Sequence, residues 1–133
     1  RLFFATIPKI MNVKVSDMTE VKIWHNNSCS KSRQTMVLLE EHGVKIDIKN
    51  YLVDNITIEE LRNVVSLLGI PARGLIRTKE DEYKDLGLDD LSLGDEILLE
   101  AMVKTPKLIE RPIVINGNRA TLGRPPINVL ETI

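Results

Sequence analysis

The segment HNNSCSKSR, residues 25–33, places the only cysteine of the chain among small hydroxyls and cations, just after the apolar run VKIW. A thiol acts as a nucleophile in its thiolate form, and that form is favoured by a helix N-terminus, hydrogen-bond donors and nearby positive charge. Ser30 and Ser32 can donate to the Cys29 sulfur, and Lys31, Arg33 and His25 add cationic character around it. A free cysteine is otherwise a small buried hydrophobe. Such a residue would sit more naturally within VKIW or MVLL, although position alone leaves both roles open. His25 has two roles open as well: it tunes or protonates the thiol, or it ends a strand. His42 reads as a solvated helix-end residue that interacts with the helix dipole. The motif is Cys-Ser-Lys-Ser and lacks Cys-x-x-Cys, so a redox cycle must take its second thiol from another molecule.

Three arginines share a context. Arg111 precedes Pro112, Arg124 precedes Pro125, and Arg77 closes a short segment after Gly74. Each offers a planar fork of donors suited to a phosphate-like oxyanion. Taken singly, each is more often a solvated surface residue.

These residues need elements to position them. Val21–Trp24 alternates as a first strand, HNNS supplies a turn, and a helix follows from about Ser30 with Met36, Val37, Leu38 and Leu39 as its apolar face, stopping at Gly43. Residues 45–51 alternate as a second strand. Thr57-Ile58-Glu59-Glu60 matches a capping box, and Leu61, Val64, Val65 and Leu68 give an amphipathic helix ending at Gly69. Pro71 restarts a short helical segment, and residues 79–90 read as a loop or loose helix around Tyr83 and Leu86. Ser92 is expected to cap a further helix carrying Ile97, Leu98, Ala101 and Met102. Asn116-Gly117-Asn118 between two apolar runs predicts a hairpin, and Gly123-Arg124-Pro125-Pro126 opens a last short helix. The order is βαβ, a helical middle, then ββα, with a right-handed crossover expected between the first two strands. Cys29 then lies at the carboxyl end of the first strand, the usual place for a ligand crevice in an α/β sheet.

The 133 residues suffice for one domain with a modest core. A net charge of −1 argues against a general nucleic-acid or acidic-membrane binder. One cysteine excludes an intramolecular disulfide framework and a Cys-rich zinc site, and makes a reducing cytoplasm the expected compartment. No apolar run approaches the roughly 18 residues a membrane span requires. Residues 1–18 are expected to be an N-terminal extension or added sequence outside the fold, with residues 19–133 forming the domain.

HNNSCSKSR, ARGLIR, ERPIV and GRPP, in that order, make the chain from Val21 to Ile133 resemble the glutaredoxin-linked arsenate reductases. Any one segment is weak, but the ordered set is specific. The resemblance implies a thioredoxin-like fold with a helical insertion and a cis peptide before Pro112. It implies Cys29 as nucleophile, with Ser32 and His25 beside it, and Arg77, Arg111 and Arg124 as the oxyanion ligands. Asn27 stands where the family often has proline. The implied activity is reduction of arsenate to arsenite by a monomer that binds no metal or organic cofactor, takes glutathione as co-substrate and glutaredoxin as partner. Two alternatives remain: a redox-responsive regulator similar to the Spx type, whose members usually carry Cys-x-x-Cys, and a thiol oxidoreductase acting on another oxyanion or on glutathione adducts.

Overall fold

The computed structural model describes residues 20–133. The expected extension, residues 1–18, lies outside the described residues. The first strand, β1 (Glu20–Trp24), pairs in parallel with β2 (Lys45–Lys49) and antiparallel with β3 (Ile113–Asn116), which pairs antiparallel with β4 (Arg119–Leu122). The strand order is β2-β1-β3-β4. Alternation in β1 sends Val21 and Ile23 to one face of the sheet and Trp24 to the other. The Val21 face packs with Leu39, Val114 and Val129. The Trp24 face packs with Tyr51, Leu61, Val64, Met102 and Ile113. In the β3–β4 turn only Gly117 takes a positive φ, at 61°.

Helix α1 (Ser30–Glu41) covers the first face together with a 3-10 segment, Pro126–Glu131. Its fully buried residues are Ser32, Thr35 and Leu39; of the expected apolar face, Met36 and Leu38 pack partly buried against the same core and only Val37 does not. Val37 is 52% exposed. Leu39 alone among its apolar side chains is fully buried, contributing about 1.5–3 kcal/mol. Ser32 is turned inward because it belongs to the site described below.

On the second face, α2 (Ile58–Leu68) starts with the expected capping box: Thr57 Oγ1 accepts from the Glu60 amide at 3.1 Å, and Glu60 Oε1 accepts from the Thr57 amide at 2.9 Å. It ends at Gly69 in the left-handed region, φ 68°. After Pro71 comes a 3-10 turn, Ala72–Gly74, then α3 (Asp81–Asp85), α4 (Asp95–Lys104) and a 3-10 turn at Pro106–Leu108. Arg73 ties this insertion together, donating to Tyr83 Oη (2.8 Å) and to the Leu88 (2.8 Å) and Asp90 (3.0 Å) carbonyls. The expected cap at Ser92 is absent. Its amide and hydroxyl both donate to Asp90 Oδ1, closing a local turn, and α4 begins later, after Gly94.

Two short pairings bring distant residues to one end of the sheet. Ile76 and Ile109 form an isolated antiparallel bridge, flanked by Arg77 N–H to the Leu108 carbonyl (2.7 Å) and Glu110 N–H to the Leu75 carbonyl (2.8 Å). Gly123 N–H donates to the Pro112 carbonyl at 2.9 Å, extending the β3–β4 ladder. The Arg111–Pro112 bond is cis, as the resemblance implies, and so is Arg124–Pro125. The fold is thioredoxin-like, α/β, with the helical insertion between its βαβ and ββα halves.

Candidate active site

The thiol lies where β1 hands over to α1. Cys29 is the residue before the first helical turn, in extended conformation, with its amide donating to the Asn26 carbonyl at 3.0 Å. No side-chain oxygen caps α1, so its first amides are left to the sulfur. Burial alone would push the thiol up, since Cys29 is only 8% exposed. The Ser32 amide, the Arg111 side chain and the Lys31 amide together outweigh it, and the net effect holds the thiol below its ordinary range.

The residues expected around Cys29 divide into two groups. Ser32 does touch the thiol, but through its backbone N–H and not through the hydroxyl expected to donate. That hydroxyl is fully buried, bonds to His25 Nδ1 at 2.6 Å and accepts from the Asn26 amide at 3.1 Å. His25 therefore reaches the thiol through Ser32, as a residue that fixes the turn. The backbone of His25 also ends β1 by donating to the Lys49 carbonyl at 2.9 Å. Arg33 turns outward, its Nη1 donating to the Asn27 carbonyl at 2.9 Å. His42 donates from Nδ1 to the Leu38 carbonyl at 2.9 Å, at the exposed end of α1.

Arg77, Arg111 and Arg124 are far apart in sequence and meet here. The bridge at Ile76–Ile109 sets Arg77 beside residues 110–111, and the Gly123–Pro112 bond sets Arg124 there too. Arg124 Nη1 donates to the Arg111 carbonyl at 3.1 Å. The Arg111 guanidinium lies near enough to the thiol to favour its ionised form, and Arg111 Nε is buried with no hydrogen-bond partner. Arg77 donates from Nε to Glu80 (3.0 Å) and from Nη1 to Glu110 (2.6 Å).

Two residues here were given no role at the site by the sequence. Glu110 Oε1 accepts from Arg77, accepts from the Arg111 amide at 3.2 Å and lies 3.6 Å from Arg124 Nε. Only the order ERPIV placed it near Arg111, and nothing local marks it as the acid the arginines share. Tyr51, expected merely to end the second strand, is fully buried, stacks on Trp24 at 6.2 Å and leaves its hydroxyl without a hydrogen-bond partner. Burial holds its phenol above the usual range, with the Arg111 charge opposing that shift.

Thiolate, open guanidinium donors and helix amides together can bind an oxyanion beside a nucleophile. Among the described residues no group of three or more His, Cys, Asp or Glu side chains could hold a metal ion, and no helix is long and apolar enough to cross a membrane.

The ArsC family model matches residues 24–132. The chain is 50% identical over 115 residues to an uncharacterised protein of Escherichia coli K12, YfgD, covering 86% of this chain and 97% of that one. It is 46% identical over 114 residues to an arsenate reductase of Haemophilus influenzae, covering 85% and 98%. An arsenate reductase from Vibrio cholerae has a solved structure that superimposes with a TM-score of 0.85 at 44% identity, covering 87% of this chain and 99% of that one.

Proposed function

The chain belongs to the ArsC family, and from that membership we propose that it reduces arsenate to arsenite with Cys29 as nucleophile. The observation that carries this reading is the meeting of an acidified thiol with Arg77, Arg111 and Arg124 at the end of the sheet. The thiolate attacks arsenic, an S–As bond forms, and one arsenate oxygen leaves as water. Open donors on Arg77, Arg111 and Arg124 hold the remaining oxygens, while Arg111 balances the thiolate before attack. Glutathione supplies the second thiol. Cys29 and glutathione together give up two electrons as their mixed disulfide forms, and arsenic(V) takes them to leave as arsenite. Glutaredoxin then removes the glutathionyl group and restores Cys29.

The test is NADPH consumption coupled through glutathione reductase, glutathione and glutaredoxin, with and without arsenate. Consumption should depend on arsenate and vanish in Cys29→Ser. Arg124→Lys keeps the charge but loses the planar fork, and should cost about 10²–10³ in turnover. Equal consumption with and without arsenate would overturn the reading in favour of a thiol enzyme acting on another oxyanion or a glutathione adduct.

A further inference from the structure

Glu110 occupies a position that an oxyanion ligand would itself favour. A single oxygen, Oε1, accepts from Arg77 Nη1 at 2.6 Å and from the Arg111 amide at 3.2 Å, and sits 3.6 Å from Arg124 Nε. With Arg77, Arg124, Thr78 and Lys79 it lines a cavity of about 190 Å³. Its side chain is 24% exposed, so its charge is only partly screened. A carboxylate placed there has two consequences. It lets guanidiniums stand close by offsetting their mutual repulsion, and it removes positive charge from the place where a ligand would bind. With Glu80 also on Arg77, three guanidiniums face two carboxylates, with Lys107 3.7 Å from Glu80 and Lys79 on the cavity wall. Donors remain nonetheless, including the buried, unpartnered Arg111 Nε.

We propose that Glu110 is a specificity-determining residue of the arginine site: it holds Arg77 and Arg124 on one oxygen, and its charge biases the site toward singly charged over doubly charged oxyanions. The inference rests on the reading that these arginines bind the anion. Electrostatic energy is linear in ligand charge, so a dianion suffers twice the repulsion from Glu110 that a monoanion of the same shape does. Removing the carboxylate charge therefore multiplies the affinity of a dianion by the square of the factor gained by a monoanion.

Sulfate and perchlorate, both tetrahedral, carry two and one permanent charges and serve as probes. Their affinities are read as protection of Cys29 from iodoacetamide, at one pH and constant ionic strength, in wild type, Glu110→Gln and Glu110→Ala. Gln keeps an acceptor oxygen for Arg77 and the Arg111 amide but has no charge. Glu110→Gln should bind sulfate about tenfold more tightly and perchlorate about threefold, for a partly screened pair. Glu110→Ala, lacking the acceptor, should bind both anions more weakly than Glu110→Gln. Equal factors for the two anions, or none, would overturn the charge bias while leaving the arginine site standing. Gln and Ala variants that bind alike would overturn the holding role. If neither anion protected Cys29 in any of the three proteins, both the proposal and the anion-binding reading beneath it would be overturned.

Discussion

At the scale of single residues, the chemistry turns on the ionisation of one thiol. Arg111 and the amides of Ser32 and Lys31 favour the Cys29 thiolate against the effect of burial. The rate of Cys29 alkylation should therefore follow a midpoint below about 8.5, the value of an ordinary thiol. Arg111→Gln should move that midpoint upward, because it removes the guanidinium charge beside the sulfur. The same shift appears in stability. The folded thiol ionises at lower pH than the unfolded one, so stability should rise as pH climbs from the folded value to about 8.5. That increment is lost as pH falls back through the folded value. Urea midpoints measured against pH should show this rise in wild type, and Cys29→Ser should lack it.

At the scale of elements, what was legible in the sequence was what is decided locally. The Thr57–Glu60 capping box and the stop at Gly69 depend on neighbours within one helix, and both stand as expected. Ser92 has the right residue type for a cap, yet Asp90 two positions earlier captures its hydroxyl and amide, and the helix starts further on. The inner face of α1 was legible in part: Met36, Leu38 and Leu39 pack inward, but hydrophobicity cannot show that the helix also turns Ser32 inward to fix His25 and the thiol. The capping box gives a clean contrast with the thiol. Thr57→Ala should lower the free energy of unfolding by about 1 kcal/mol, read from urea midpoints, because the Glu60 amide loses its acceptor. The alkylation rate of Cys29 should not change. A slowed alkylation would mean that α2 transmits more to the site than its packing suggests.

At the scale of the whole molecule, the site exists because three parts of the chain touch within a very small space. Gly123 marks that contact: a Cβ placed there would stand 2.6 Å from Thr35 Oγ1 on α1 and 2.8 Å from Pro112 Cγ. Gly123→Ala should cost about 1–3 kcal/mol as an overpacked core substitution, visible as a lowered thermal midpoint. It should also slow Cys29 alkylation, since Pro112 cannot give way without moving Arg111. An unchanged alkylation rate would show that the arginine and the thiol are held independently of this contact. Cys29 could be singled out from its own neighbours, whereas the meeting of Arg77, Arg111 and Arg124 was legible only through the ordered family motifs. Glu110 and Tyr51 were not legible at all, because their roles are created by the Ile76–Ile109 bridge and by burial against Trp24. The pairing of β1 with β3 carries a further meaning in time. On the ribosome the cysteine emerges on a 12-residue helix too short to persist alone, well before Arg111 and β3, which follow only after the helical insertion. The growing polypeptide therefore carries an ordinary, sluggish sulfhydryl until β3 has been made, and acquires a reactive one only when that later segment pairs with β1 and brings Arg111 to it.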